Sequence, residues 1–364
     1  MRRKANPKEV PVLVPVSVRR SLVLGVAVAL LVAACGGTAA PTPAASAAPP
    51  SAGATASAPA STAAPVSLTV GLGYIPSVQF AQFYLAKQAG YYTAAGLDVT
   101  LQNKIDPDLI TLLGQGAVDI GAGDGTSVIP AVSQGIPVVY TATIFGQYPC
   151  IVLAKAGGGI TTAADLRGKK IGIPGKYGSS WFMLLALLGS VGLKPADVTI
   201  VEFPSFGQAT ALQQGVVDAA TGFANNEPIQ LRNAGIEPVV LTIDAITPLP
   251  GPGLVTGTKT LAAKHDALKA FIAATLRAEA EIKADPQKGL DATFALVPDL
   301  KSNAALQRQI LDATIAIWPS PRTGGVLGAL DTAGWQLSLD FMTTLGLVPN
   351  AVTTAQLLDG SLLP

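Results

Sequence analysis

One unit occurs twice in this sequence of 364 residues, about 100 positions apart. Leu112-Leu113-Gly114-Gln115-Gly116-Ala117-Val118-Asp119 is matched by Leu212-Gln213-Gln214-Gly215-Val216-Val217-Asp218: a helix end, a glycine, then Val-Asp opening a strand. Upstream, Ala95-Gly96-Leu97-Asp98-Val99-Thr100 is echoed by Val191-Gly192-Leu193 and Val198-Thr199. A unit repeated within one chain predicts two similar lobes. Strings this short also recur by chance, so the reading leans on the rest of the chain. Short β-branched runs at 68–73, 97–102, 118–122, 138–143, 170–173, 198–203, 217–221 and 239–243 alternate with segments of helical length at 79–89, 106–113, 180–191 and 208–214. That alternation predicts an α/β protein of parallel βαβ units with right-handed crossovers.

After about Gly253 the pattern turns helical. Residues 264–284 carry Leu268, Phe271, Ile272 and Leu276 on one face of a 3.6-residue period, and 303–317 and 332–345 look similar. Such a tail is expected to pack back on the first lobe. Lobe 1 would then be discontinuous, 67–147 plus 252–364, with lobe 2 at 148–251.

The N-terminus reads as an address. Arg2, Arg3, Lys4, Lys8, Arg19 and Arg20 precede an uncharged apolar run, 21–34. Basic, then apolar, then small is the order of an export signal. The run is too short for a permanent span, which needs about 20 residues. It ends Leu31-Val32-Ala33-Ala34-Cys35-Gly36, which resembles the bacterial lipobox, whose cysteine is diacylated and becomes the new N-terminus. Residues 1–34 are therefore expected to be a lipoprotein signal peptide, and Cys35 a palmitate-type membrane anchor facing outside the cytoplasm. Residues 36–66, nearly all Ala, Pro, Gly, Ser and Thr, cannot bury enough apolar area to order themselves and read as a linker. Six basic residues and Glu9 lie in 1–34, so the remainder carries 18 Lys and Arg against 22 Asp and Glu.

Composition removes several functions. A net charge of +1 gives no electrostatic footprint for nucleic acid. Two cysteines and one histidine argue against a disulfide framework, a multi-cysteine zinc site or a histidine-based triad. His265, in Lys264-His265-Asp266, reads as a solvated surface residue, and Cys150 as a small buried strand residue.

In open parallel sheets ligands bind beyond the C-terminal ends of strands, where helices begin. This rule selects 73–80, 123–127, 174–181, 204–207 and 222–227. The candidate ligand-binding residues there are Tyr74, Gln79, Asp124, Thr126, Tyr177, Ser179, Ser180, Trp181, Asn226 and Glu227. Aromatics stack on a flat ring while amides, hydroxyls and acids bond its edge. Plainer roles stay open. Trp181 and Tyr74 serve equally as core, Gly178-Ser179-Ser180 as an ordinary helix cap, Asp124 as a turn former and Glu227 as a first-turn acid.

Lipobox, linker, two lobes and late helices together resemble the solute-binding lipoproteins of ABC importers. Gly73-Tyr74-Ile75-Pro76-Ser77-Val78-Gln79-Phe80-Ala81, Gly90-Tyr91-Tyr92 and Asp165-Leu166-Arg167-Gly168-Lys169-Lys170-Ile171-Gly172-Ile173-Pro174 resemble the NMT1/THI5-like, SsuA-related family. The resemblance implies a type II periplasmic-binding-protein fold, two lobes closing on a small ligand in the cleft between them. It implies a monomer that docks on an ABC permease and its ATPase, with no cofactor and no catalysis, the solute being cargo. Thiamine-pyrimidine importers carry Trp, Asn and His in the first loop. Here Tyr74-Ile75-Pro76-Ser77-Val78-Gln79-Phe80 is closer to the flavin-importing branch. Riboflavin is therefore the expected cargo. A pyrimidine precursor or a sulfonate- or nitrate-type anion is the alternative, and a ligand-sensing lipoprotein the alternative to transport.

Overall fold

The computed structural model describes residues 64–364 apart from 106–107 and 244–245. The expected signal peptide, Cys35 and most of the linker lie outside the described residues. Among those described, ten strands form: β1 (Val66–Leu72), β2 (Leu97–Asn103), β3 (Ile120–Asp124), β4 (Val138–Thr143), β5 (Cys150–Lys155), β6 (Lys170–Ile173), β7 (Thr199–Glu202), β8 (Ala219–Phe223), β9 (Pro238–Leu241) and β10 (Pro252–Gly257). They make two sheets of five, ordered β2-β1-β3-β10-β4 and β7-β6-β8-β5-β9. Val66, expected at the linker's end, pairs with Leu97 as the first residue of β1.

The two sheets have the same plan. In each, the second strand in that order (β1 or β6) pairs parallel with a neighbour on either side. The remaining inner strand, β10 or β5, runs antiparallel to both of its neighbours. That reversed strand is the one that has just crossed from the other sheet. Both faces of each sheet are covered, which favours continuous apolar runs over alternation. β5 shows it: Cys150, Val152 and Ala154 pack in one core cluster, Ile151 and Leu153 in another.

The sequence echo has a physical content. Asp119 accepts the Thr69 backbone N–H of β1 on Oδ2 at 2.8 Å, and Asp218 accepts the Lys170 N–H of β6 on Oδ2 at 2.8 Å. Each aspartate also donates its own N–H to the same residue's carbonyl, at 2.9 Å in both lobes. The two-point clamp sets the register of β3 on β1 and of β8 on β6, and Gly116 and Gly215, at φ 74° and 75°, turn the chain into it.

Two expectations need correction. The sheets are not wholly parallel, because each holds one strand delivered from the opposite lobe. Residues 252–257 were expected to lie where the helical pattern begins, yet they form β10. This run is short and bounded by Gly251 and Gly257, and its pairing partners, β3 and β4, are distant in sequence. The helix that follows, Thr258–Ala284, departs from helical geometry at Lys264, whose Nζ reaches Asp119 Oδ1 at 2.8 Å. Beyond that point Leu268, Phe271 and Ile272 fill the core of the first sheet.

The echo yields a stability contrast. Asp119→Ala should lower the unfolding free energy by about 1–3 kcal/mol, the cost of stranding a partly buried donor. Asp218→Ala should cost less, because its bond is exposed and water replaces it. Urea denaturation midpoints at unchanged slope would check the order.

Candidate functional site

The carboxyl ends of β1, β3, β6, β7 and β8 converge on one cavity. It opens to solvent on one side and holds about 960 Å³ of empty space, its open mouth included. The first sheet contributes Gly73, Tyr74, Gln79, Gln82 and Asp124; the second contributes Tyr177, Ser179, Ser180, Phe206, Gln208, Asn226 and Glu227.

Local sequence fixes each group. After β1, Ser77 caps a short 3-10 turn by accepting the Gln79 N–H at 3.3 Å, and the same hydroxyl accepts Gln79 Nε2 at 3.1 Å. After β7, Phe206 adopts φ 59°, the left-handed region, uncommon for a bulky side chain. That turn carries its ring across the cleft to meet Tyr74 edge-on at 4.7 Å between centroids. After β8, Gly222 leaves room for Glu227: a Cβ there would lie 3.0 Å from the glutamate side chain. Glu227 Oε2 accepts the Phe223 N–H at 2.7 Å, and its Oε1 accepts Asn226 Nδ2 at 3.3 Å.

Beside the cavity, polar contacts tie the lobes at Ser179 and at Asn225; farther out Asn233 Nδ2 donates to Gln309 Oε1 at 2.8 Å. Ser179 gathers the first: its N–H donates to Asp124 Oδ2 at 3.2 Å, its hydroxyl lies 2.9 Å from that of Thr126, and its carbonyl accepts the Tyr148 hydroxyl at 3.0 Å. Asn225 makes the second, donating to Gln79 Oε1 and Thr314 Oγ1, both at 2.8 Å.

The electrostatics favour neutrality. Burial pushes the Glu227 carboxyl up to about 7, against the lowering effect of its Phe223 and Asn226 hydrogen bonds. Asp124 keeps part of its surface open to the cavity, yet the surrounding protein withdraws enough water to raise its pKa, opposed by Ser179. No Lys or Arg stands among the described residues of the wall. Lys176, within the segment 174–181, is exposed and leans toward Glu202 at 3.8 Å.

Eight of the ten sequence-predicted residues line the cavity: Tyr74, Gln79, Asp124, Tyr177, Ser179, Ser180, Asn226 and Glu227. Thr126 is fully buried behind the wall and acts through Ser179. Trp181 is elsewhere. It packs half-buried against the core of the second sheet, beside Pro195 and Val198. One helical step past Ser180 rotates a side chain by about 100°, which carries Trp181 out of the cleft. His265 lies outside the wall, pairing with Asp266 at 3.2 Å.

The sequence reading passed over Phe80, Gln82, Phe83, Phe145, Phe206, Gln208 and Phe223. Gln82 and Phe83 had a usable signal, since they fall three and four residues after Gln79 and so share its helical face. Phe145 had none, because it lies on the crossing between β4 and β5.

The profile of the family described as NMT1/THI5-like matches residues 77–289. Riboflavin-binding protein RibY of Chloroflexus aurantiacus is 34% identical over 350 residues, covering 95% of this chain and 98% of that protein. A 4-amino-5-hydroxymethyl-2-methylpyrimidine phosphate synthase of Legionella pneumophila is 24% identical, over 65% of this chain and 75% of its own. The solved structure of the periplasmic aliphatic sulphonate binding protein SsuA from Escherichia coli superposes with a TM-score of 0.64 at 19% identity, covering 81% of this chain and 97% of that one. At that identity the likeness carries the fold, the two-lobed fold of periplasmic binding proteins. With its profile match running over more than half the sequence, the chain belongs to the NMT1/THI5-like family.

Proposed function

We propose that this protein is the extracytoplasmic solute-binding subunit of an ABC importer, that its cargo is riboflavin, and that it performs no catalysis. The observation that carries the reading is the character of the cleft wall. Aromatic rings from both lobes (Tyr74, Phe80, Phe206 and Phe223 among them) surround two acids whose pKa values are raised, with no cation among the described lining residues. A flat ring, apolar on its faces and polar along one edge, suits that wall. A sulfonate would meet two carboxyls and no guanidinium or ammonium to pair with. The likeness to RibY over nearly the whole chain supports the same cargo.

Glu227 has a defined part in this reading. Protonated below its raised pKa of about 7, it accepts the Phe223 N–H on one oxygen and offers an O–H from the other to an acceptor on the ring edge. Delivery requires a permease and its ATPase outside this chain. Diacylation of Cys35 after removal of residues 1–34 would keep the folded body on a linker at the outer face of the membrane.

Three outcomes are expected. Riboflavin titrated into the purified protein should lose fluorescence by stacking and raise the melting temperature; at 100 times the dissociation constant the linkage is about 2.7 kcal/mol. A shift with an alkanesulfonate and none with riboflavin would overturn the cargo. The second concerns pH. The unfolded Glu227 ionises near its ordinary 4.5 while the folded one holds its proton to about 7, so stability falls as pH rises between those values and then levels. The loss is on the order of 3 kcal/mol. Glu227→Gln should remove that part of the slope in urea melts from pH 4.5 to 8, and riboflavin affinity should fall through pH 7 in the wild type alone. Third, Cys35→Ser should move the protein from the membrane pellet to the soluble fraction without changing riboflavin affinity.

A further inference from the structure

Gln82 stands apart from the other amides of the cavity wall. Gln79 is committed to Ser77 and Asn225, and Asn226 to Glu227 and Gln230. Gln208 donates to the Thr221 carbonyl at 3.3 Å and leaves only its Oε1 without a partner. Gln82 is fully buried, lines the cavity, and has neither Nε2 nor Oε1 hydrogen-bonded. Buried polar groups are almost always satisfied, and an unmade bond costs stability. An amide left open on both atoms in the wall of the cleft is therefore poised for a partner that comes and goes.

We infer that Gln82 is the specificity-determining residue of the cleft and reads a lactam or imide edge, a ring N–H beside a ring C=O, on a flat heterocyclic solute. This rests on the solute-binding reading given above. A carboxamide presents one acceptor and donors side by side. Its complement is a donor adjacent to an acceptor in the same plane. A lactam edge has that pattern and a sulfonate, which has acceptors alone, does not. Gln82 is the second residue of the helix Ala81–Gln88, beside Phe83 in the same wall, so an aromatic face adjoins the reading edge. From the opposite lobe Gln208 Oε1 asks for a further donor. A solute with donors toward both sides would satisfy the two amides together, and would do so only with the lobes in contact.

The test pairs two ligands with two proteins. Riboflavin carries an imide N–H; 3-methylriboflavin replaces it with N–CH3 and keeps the stacking surface. The full chain should bind riboflavin at least tenfold more tightly than 3-methylriboflavin. Gln82→Met, of similar size and without donor or acceptor, should lose at least tenfold toward riboflavin and change little toward the methylated ring. Without ligand, Gln82→Met should melt no lower than the wild type, because the replaced amide is unpaired. A Gln82→Met protein that melts lower when empty, or that keeps riboflavin affinity within twofold, overturns the inference, as does equal wild-type binding of the two flavins. If the wild type binds neither flavin, the riboflavin reading fails by itself. Lumazine and uracil against their N-methylated forms then decide: preference for the free N–H supports Gln82 as the reader, and indifference overturns it.

Discussion

The exchange of one strand between lobes is the constraint on which the rest of the structure depends. β5 and β10 each arrive from the other sheet and lie between two strands that run the opposite way. Neither lobe can be redrawn as a closed unit with a loose joint. The two crossings, 144–149 and 242–251, are held at both ends by ladder hydrogen bonds. That arrangement aims the carboxyl ends of both sets of parallel strands at a common space, and the cavity is the consequence. Most of its residues follow β1, β3, β6, β7 and β8, on segments that share little in sequence but share one position in the topology.

Within that space, the wall combines features that would each be costly elsewhere. Phe206 sits in a strained backbone region, Glu227 is a carboxyl away from water, and Gln82 is an amide with nothing to bond. Such departures from local rules collect where a site is built for something other than the protein itself. The Ser179 cluster shows how the site is coupled to lobe contact. One residue at a helix start uses its N–H, hydroxyl and carbonyl on Asp124, Thr126 and Tyr148. Asp124 thus belongs both to the cleft wall and to the contact between the lobes.

Much of this was legible in the sequence because it follows from periodicity and chain punctuation. The Val-Asp echo marked equivalent strands, since the same clamp was needed twice. β4 and β6 were found to the residue from their β-branched runs, and eight wall residues followed from strand ends alone. What escaped depended on partners distant in the chain. β10 offers no pattern of its own, and it is a strand because β3 and β4 leave a slot. Trp181 was a stacking candidate because it is an aromatic in the segment after β6, with a core role equally open, and only the helical phase decides for the core. Gln82 sits in an ordinary helix, and what distinguishes it is the lack of a bonding partner, which no sequence displays.

The placement of β10 also has a consequence for how the protein comes into being. The second sheet is contiguous in the chain, whereas the first needs residues 252–257, which leave the ribosome only after the whole of the second sheet has been made. Until they arrive, β3 and β4 each have a bare inner edge, and β4 has no neighbour in its own sheet. A nascent chain is therefore denied a finished first half throughout most of translation. Under the proposed export, that delay keeps the first half open while the chain is still being made.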